Sequence, residues 1–374
     1  MNGAEALRDE LLRLFREGAG ARSTDEDFDR LARAAFAHQY AASPPYQMFC
    51  SRRGVTPDTV TEWRRIPPVP ARAFKDLTFV SGPRGERSAV FRTSGTTSGA
   101  ARRGTHHVPD LALYDASALA TFRHFVLPGG VRCRIVSLVP SPREAPDSSL
   151  SHMADTVMKA EGEQGSGWFA SDRGLDSEGL LAALGEAIDL GAPVLLLGTS
   201  LALAAWLESL PSERCLRLPE GSRLMDTGGA KGRRRALSAE ALRAEYVRRL
   251  GIPDHACVNE YGMTELCSQY YDQCLRAGAR DSTDLKGSAP WLRPVAADPD
   301  TLAPLPDGEV GVLRHVDLAN LGSIIAVQTE DVGRVVDGRV ELMGRARGAE
   351  PRGCSLAMEL LLERADTRWA RADS

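Results

Sequence analysis

The chain has 374 residues, of which 43% are hydrophobic and 26% charged, and its formal net charge is -4. This composition is typical of a globular protein with a large core, and the length corresponds to about two to three domains or subdomains. The weak negative charge argues against nucleic acid or an anionic membrane as the main partner, and no apolar run approaches the roughly 18 residues that a membrane-spanning helix needs.

The first 90 residues are predicted to be mainly helical. Met1–Gly18 has the pattern of an amphipathic helix and not that of a signal peptide. Thr24 and Asp27 resemble a capping box at the start of a second helix. Ile66–Pro70 is rich in proline, which lacks an N–H group and fixes φ, so this segment is predicted to be a rigid extended connector.

From about residue 88 to residue 270 the pattern alternates between strand and helix. Val131–Leu138 and Val194–Leu197 are predicted strands, and the second is apolar throughout, as expected for a parallel strand covered on both faces. Ser238 is predicted to begin a helix that Gly251 ends. The predicted fold class is therefore α/β, with layered, mostly parallel sheets and flanking helices.

Past residue 300 the pattern changes to short strands, including Val310–Leu313, Ile324–Val327 and Val340–Leu342, with Asp337-Gly338 as a hairpin turn. This pattern predicts a small β subdomain that closes the core. The expected domain plan is a helical N-terminal region over 1–90, a core over 91–343 with the β subdomain from about 300, and a short C-terminal segment over 344–374.

The segment Thr93–Gly99 consists of hydroxyl side chains and two glycines. Glycines let successive backbone N–H groups point into one concavity that binds an anion, and a following arginine can fork onto phosphate oxygens. A polar surface loop is the other interpretation. A P-loop is excluded, because three residues and not four separate Gly95 from Gly99 and no lysine follows. The candidate phosphate ligands are Thr93, Ser94, Gly95, Thr96, Thr97, Gly99, Arg102 and Arg103.

This segment resembles the phosphate loop of the adenylate-forming superfamily, which comprises acyl-CoA ligases, luciferases and peptide-synthetase adenylation domains. Asn259–Glu265 is similar to the superfamily's Tyr-Gly-x-Thr-Glu motif. Its continuation Leu266–Asp272, together with Trp63 and Phe74-Lys75, resembles the LuxE-like branch, the acyl-protein synthetases of bacterial fatty-acid reductase complexes. The resemblance implies an adenylate-forming N-terminal-domain fold with a truncated C-terminal domain. It also implies ATP and Mg²⁺ as cofactors and a carboxylic acid as substrate.

The resemblance assigns roles to individual residues. It implies that Tyr261 stacks on adenine beside Gly262, that Thr264 contacts the α-phosphate, and that Glu265 binds magnesium, for which a hard oxygen ligand is suitable. Gly228-Gly229-Ala230 resembles the adenosine-binding element, where a glycine pair lets the backbone approach a flat ligand.

Three further residues complete the expected nucleotide site. Asp331 matches the acidic position of the superfamily's Thr-Gly-Asp pattern in outline and is the implied ribose ligand, although Glu330 stands where glycine is usual. Arg345 lies at the hinge position and is expected to contact ribose or phosphate. No lysine follows Arg345, whereas the superfamily carries a catalytic lysine there. We therefore hypothesise that Lys231 neutralises the charge that develops at the carboxylate and the α-phosphate.

Cys354 is a candidate nucleophile. It follows Gly353 and lies near several arginines in the sequence, and cations stabilise a thiolate. The resemblance implies that Cys354 accepts the acyl group and passes it to a reductase. Packing against a terminal helix is the other interpretation.

The remaining cysteines and histidines carry weaker signals. The cysteines are scattered and form no CxxC motif, so we expect neither a disulfide framework nor a zinc site, and a cytoplasmic location. Six of them are expected in the core: Cys50, Cys133, Cys215, Cys257, Cys267 and Cys274. His106, His107 and His152 are candidates for the carboxylate pocket, although each is more typical of a structural histidine.

The sequence thus predicts ATP-dependent activation of a fatty or related acid to an acyl-adenylate, with transfer to Cys354 and on to a reductase partner. A stand-alone adenylase of an aromatic or unusual carboxylic acid is the first alternative. A non-catalytic partner that binds a nucleotide or an acyl group is the second.

Overall fold

The structure, a computed structural model, describes residues 3–82, 85, 87–93, 103–228, 238–280 and 284–345. The helices of this part of the chain are α1 (Gly3–Glu17), α2 (Asp25–Ala42), α3 (Pro44–Arg52), α4 (Leu111–Phe125), α5 (Ser149–Glu161), α6 (Ser177–Asp189), α7 (Ser200–Ser209), α8 (Ala239–Leu250) and α9 (Cys274–Ala277). The strands are β1 (Val69–Pro70), β2 (Ala89–Arg92), β3 (Thr105–Val108), β4 (Arg134–Ser137), β5 (Gly167–Trp168), β6 (Ala170–Ser171), β7 (Gly174–Leu175), β8 (Val194–Thr199), β9 (Arg223–Thr227), β10 (Cys257–Tyr261), β11 (Tyr270–Asp272), β12 (Leu285–Ser288), β13 (Leu292–Ala297), β14 (Val310–Asp317), β15 (Ala326–Val336) and β16 (Arg339–Arg345).

The described residues fall into two units. Unit 1 comprises those up to residue 117, residues 263–268, and those from residue 288 onward. Unit 2 comprises those within 118–262 and 269–287. The chain passes from unit 2 to unit 1 between Gly262 and Met263. The Asn259–Glu265 motif is therefore divided between the two units.

Unit 2 contains a sheet in the order β12-β11-β10-β9-β8-β4-β5. The pairs from β10 to β5 are parallel, and β11 runs antiparallel to β10. Val194–Leu197 of β8 is fully buried, as its apolar sequence predicts. Helices α6, α7 and α8 cover one face through side chains such as Leu184, Trp206 and Tyr246. The predicted α/β class is confirmed.

Local sequence sets the ends of the helices in unit 2. The Thr199 side chain accepts a hydrogen bond from the Ala202 N–H at the start of α7, and Ser238 does the same for Ala241 at the start of α8. Gly251 ends α8 with a φ of 71°, a left-handed conformation that favours glycine. Because β8, β9 and β10 are parallel, the residues that follow them lie along one edge of the sheet.

Unit 1 contains an antiparallel sheet in the order β13-β14-β15-β16. Asp337-Gly338 forms the predicted turn between β15 and β16, and both residues have positive φ. Strand β15 is longer than expected, because its backbone stays paired with β14 and β16 through the polar stretch that interrupts the apolar pattern. The predicted extended connector ends in β1, which pairs with β15 through Val69 and Pro70.

Helices α1, α2 and α3 also belong to unit 1. The predicted capping box of Thr24 and Asp27 is present at the start of α2. Gln39 of α2 is fully buried, and its side-chain amide donates to the carbonyls of Asn320 and Leu321, each at 3.0 Å. The same side chain accepts a hydrogen bond from the Ile325 N–H at 3.0 Å. No helix of the described residues is long and apolar enough to cross a membrane.

Candidate active site

The two ends of the predicted phosphate loop are joined at the tip of the β2–β3 hairpin. The Thr93 N–H donates to the Gly104 carbonyl at 3.0 Å, and the Gly104 N–H donates to the Thr93 hydroxyl at 2.9 Å. Arg103 donates from Nε to the Thr93 carbonyl at 2.6 Å, so this arginine contacts the base of the loop. The other candidate phosphate ligands lie outside the described residues: Ser94, Gly95, Thr96, Thr97, Gly99 and Arg102.

Two buried side chains of unit 1 fix the backbone of Thr264 and Glu265. Nδ1 of His106 lies 2.7 Å from the Thr264 carbonyl oxygen, and Nε2 lies 2.8 Å from Oδ1 of Asn320. The Asn320 amide donates to the carbonyls of Glu265 and Ile324, each at 2.8 Å. Burial lowers the pKa of His106 to about 4. The two hydrogen bonds act in the opposite direction, because they favour the protonated ring. His106 is therefore a positioning residue for the motif.

The Glu265 side chain is the predicted magnesium ligand, and it is buried with 7% of its surface exposed. Burial raises the pKa of its carboxyl to about 7. Arg345 and Lys75 act in the opposite direction through their positive charges, whereas Asp331 raises the pKa further. Unit 1 thus brings together a buried carboxyl, a second carboxylate and two cations.

Asp331 and Arg345 face each other across β15 and β16. They are register partners, and Nε of Arg345 lies 2.8 Å from Oδ1 of Asp331. The register shifts between Val332 and Gly333, where an added Cβ on Gly333 would lie 2.1 Å from the Glu341 carbonyl oxygen. Glycine is needed there because the two backbones approach so closely. The predicted ribose ligand and the predicted hinge arginine therefore form an ion pair.

In unit 2, Asp226 connects the two motifs that are expected to bind adenosine. Asp226 accepts hydrogen bonds from the Ser200 hydroxyl at 2.9 Å, the Tyr246 hydroxyl at 3.1 Å and the Asn259 amide at 2.7 Å. Burial raises the pKa of Asp226, and these three donors oppose the rise. Gly228 follows with a φ of 76°, and its carbonyl oxygen lies 3.0 Å from the Ser200 hydroxyl. Gly228 is thus held beside the end of β10.

Glu260, to which the sequence analysis assigned no role, is buried at the end of β10. The Thr227 hydroxyl donates to its carboxyl group, and burial raises its pKa to about 7. An added Cβ on Gly262 would lie 2.3 Å from Oε1 of Glu260, so the glycine leaves room for this carboxyl. The Tyr261 ring packs beside Tyr270, with ring centroids 5.8 Å apart.

The remaining candidates of the nucleotide site and the candidate nucleophile lie outside the described residues. They are Gly229, Ala230, Lys231 and Cys354. Of the other histidines, His107 lies on β3 in unit 1 and His152 on α5 in unit 2.

The prediction that the other six cysteines are core residues is wrong for one of them. Cys215 is exposed, whereas the remaining five are buried. Burial raises the pKa of Cys50 to about 12 and that of Cys133 to about 11, which keeps these thiols protonated and unreactive. In the described residues no group of three or more His, Cys, Asp or Glu side chains could hold a metal ion.

Two curated proteins are similar to part of the chain, although no protein-family model matches it. The long-chain-fatty-acid–luciferin-component ligase of Aliivibrio fischeri is 30% identical over 93 residues, which make up 22% of this chain and 25% of the relative. The ligase of the same name from Vibrio harveyi is 31% identical over 85 residues, or 21% of this chain and 22% of the relative. The match therefore spans about a quarter of the length of each relative.

Solved structures of 2-hydroxyisobutyryl-CoA ligase share the fold. The structure in the postadenylation state with 2-HIB-AMP aligns with a TM-score of 0.60 at 13% identity, over 86% of this chain and 68% of that chain. An open conformation with 2-HIB-AMP and CoA aligns with a TM-score of 0.58 at 14% identity, over 87% of this chain and 76% of that chain. The chain therefore has the fold of the adenylate-forming acyl-CoA ligases, and over about a fifth of its length its sequence resembles the LuxE-like long-chain-fatty-acid ligases, as its motifs predict.

Proposed function

We propose that the chain activates a carboxylic acid with ATP, forming an acyl-adenylate and pyrophosphate. The observation that carries this proposal is the surroundings of Glu265. Its carboxyl group is buried, its backbone is fixed by Asn320, and the charges of Lys75, Arg345 and Asp331 act on it. A buried carboxyl group that is subject to two positive charges is suited to a site that must hold both a divalent metal ion and phosphate groups.

Glu265 would hold Mg²⁺ together with phosphate oxygens and water. A single carboxylate with substrate phosphates is a usual donor set for this ion, and Glu265 supplies one buried carboxyl group. The residues therefore fit the metal. When bound, Mg²⁺ would neutralise negative charge on the phosphates.

Residues of several of the sequence motifs would hold the nucleotide. We assign adenine to Tyr261, Gly262 and the Gly228–Ala230 element, and the ribose to Asp331. Thr93–Gly99 with Arg102 would bind the β- and γ-phosphates. The resemblance to adenylate-forming enzymes supports these assignments. In unit 2, the parallel pairing of β9 with β10 and the hydrogen bond that the Gly228 carbonyl accepts from Ser200 support the assignment of adenine.

The reaction is a displacement at phosphorus. A carboxylate oxygen of the acid attacks the α-phosphorus and forms the acyl–phosphate bond. The bond from the α-phosphorus to the oxygen that bridges to the β-phosphate breaks, and pyrophosphate leaves with the electron pair. No proton moves, so the chain contributes positioning and positive charge. We assign the contact with the α-phosphate to Thr264, and neutralisation of the attacking carboxylate to Lys231.

A second step would transfer the acyl group to Cys354. The thiolate sulfur attacks the acyl carbonyl carbon, the thioester bond forms, and AMP leaves with the electron pair of the broken carbon–oxygen bond. The thioester preserves the activation of the acid for an acceptor protein such as a reductase.

ATP–pyrophosphate exchange tests the first step. Long-chain fatty acids should be tried first, because the curated relatives are named as ligases of such acids. Aryl and amino acids complete the panel. We expect exchange with one class of acid, and a protein that binds ATP without exchange for any acid would contradict the proposal and favour a non-catalytic nucleotide-binding role.

Intact-protein mass spectrometry after incubation with ATP and the acid tests the second step. We expect a mass increase of one acyl group that Cys354→Ala abolishes. Cys215→Ala is the matched control, because Cys215 is an exposed cysteine and its replacement should leave acylation unchanged. Exchange without any acylated protein would instead identify a stand-alone adenylase.

A further inference from the structure

We propose that Lys75 binds the phosphate groups of ATP that leave as pyrophosphate. This inference rests on the proposed adenylation function and adds a residue to its site. Lys75 is the last residue of the 3₁₀ turn Ala71–Lys75 in unit 1, and its side chain is exposed.

The side chain of Lys75 lies against the base of the predicted phosphate loop. A Cβ added to Gly104 would lie 3.2 Å from Cγ2 of Thr93 and 3.7 Å from Cγ of Lys75. The aliphatic part of the lysine thus runs beside the two residues at which the loop leaves the hairpin and returns to it. From this position the ammonium group can reach an anion bound there, since a lysine carries its charge on a flexible four-carbon chain.

Strand β3 contacts both the turn that carries Lys75 and the motif that contains Glu265. The Phe74 carbonyl accepts a hydrogen bond from the Thr105 hydroxyl at 3.5 Å. The Phe74 ring is buried and packs edge-on against His106, with centroids 5.9 Å apart. Because His106 also contacts the Thr264 carbonyl, the residues that directly precede Lys75 and Glu265 in the chain both pack against this one side chain.

Of the three lysines in the described part of the chain, Lys75 has no carboxylate partner at ion-pair distance. Lys159 pairs with Asp155 at 2.6 Å on the surface of α5. Lys286 is buried and pairs with Asp272 at 2.6 Å. The charge of Lys75 acts on Glu265 without a direct ion pair, so its ammonium group would be available to phosphate oxygens bound near that carboxyl group.

This position fits the leaving group of the reaction. As the bond to the α-phosphorus breaks, negative charge grows on the bridging oxygen and spreads over the departing pyrophosphate. A cation that contacts these oxygens as their negative charge grows stabilises the transition state more than the ground state. Lys75 and Lys231 would then act at opposite ends of the displacement, on the leaving group and on the attacking carboxylate.

The test compares the affinities for ATP and AMP by calorimetry, without acid, in wild type, Lys75→Met, Lys75→Arg and Lys231→Met. We expect Lys75→Met to bind ATP about 10-fold more weakly and AMP unchanged, because AMP lacks the phosphates that Lys75 contacts. Lys75→Arg should restore part of the ATP affinity, since arginine keeps the positive charge. Lys231→Met should leave the ratio of the two affinities unchanged.

Pyrophosphate exchange supplies the kinetic part of the test. We expect Lys75→Met to lower the exchange rate about 100-fold, as loss of one charge-stabilising contact does in other enzymes. Lys159→Met, which removes an exposed lysine elsewhere, should change neither the exchange rate nor the binding of ATP. Thermal unfolding should show that Lys75→Met and Lys159→Met are both folded. An unchanged ratio of ATP to AMP affinity in Lys75→Met would overturn the inference. Absence of exchange in the wild type would instead refute the adenylation function, while the affinity ratio would still decide the role of Lys75.

Discussion

Replacing Glu260 with glutamine should stabilise the protein above pH 7 and have little effect near pH 4.5. In the folded state, burial raises the pKa of the Glu260 carboxyl from 4.5 to about 7. At a pH between these two values, the folded state therefore keeps a proton that the unfolded chain has released. The free energy of unfolding falls as the pH rises through this window. Each pKa unit corresponds to about 1.4 kcal/mol, so the full loss is about 3 kcal/mol.

The measurement is urea unfolding of the wild type and of Glu260→Gln at several pH values from about 4.5 to 8. Glutamine keeps an oxygen that can accept the Thr227 hydroxyl, and it has no charge to bury. The difference in unfolding free energy between the two proteins should grow by about 3 kcal/mol across this range. Glu208→Gln, at an exposed position of α7, is the control for the loss of a glutamate carboxyl group on the surface. A difference for Glu260→Gln that stays constant within about 1 kcal/mol would refute the reasoning.

Three further substitutions test the structural framework of the site. Lys286→Met should lower the unfolding free energy by about 3 kcal/mol, because it leaves the buried Asp272 without its closest cation; a loss below about 1 kcal/mol in chemical denaturation would contradict this. Gly333→Ala should break the pairing of β15 with β16, since the new Cβ would collide with the Glu341 carbonyl oxygen, and hydrogen exchange of the β16 amides should become faster; unchanged protection would show that the strands can move apart. His106→Phe should cost about 1–3 kcal/mol, because it removes the buried hydrogen bond that the imidazole ring makes to the Thr264 carbonyl or to Asn320. It should also make the loss of stability smaller as the pH falls from about 6.5 to 4, because the lowered pKa of the buried His106 imidazole contributes to that loss in the wild type.

Features that depend on neighbouring residues in the sequence were predictable. The capping box at Thr24, the start of α8 at Ser238 and its end at Gly251 are fixed by local hydrogen bonds and backbone conformation. The apolar run Val194–Leu197 predicted a parallel strand, as β8 is, and the motifs predicted the fold that the solved structures share.

Features that depend on which strands become neighbours were not predictable. Glu260 is buried because β10 pairs with β9 and places its carboxyl next to Thr227, and a single strand sequence does not reveal that partner. Asn320 gives no signal of its own, since its role comes from contacts with His106 and with the backbone of Glu265.

Cys215 was mispredicted for a reason that the sequence contains. In the segment around it, Leu216 and Leu218 alternate with Cys215 and Arg217. Leu218 is buried, whereas Cys215 and Arg217 are exposed, so the cysteine lies in the polar phase of the alternation. Its strand-like context predicted a core position, whereas the alternation with a period of two would have placed it on the surface.

The buried amide of Gln39 has a consequence for the order in which the chain folds during synthesis. Its hydrogen-bond partners lie 281 to 286 residues further along the chain. At about 5–20 residues per second, a ribosome needs roughly 15 to 60 s to make that stretch. For this time α2 has emerged without the segment that supplies the hydrogen-bond partners of Gln39. Unit 1 can therefore complete its folding only after its last strands have been translated.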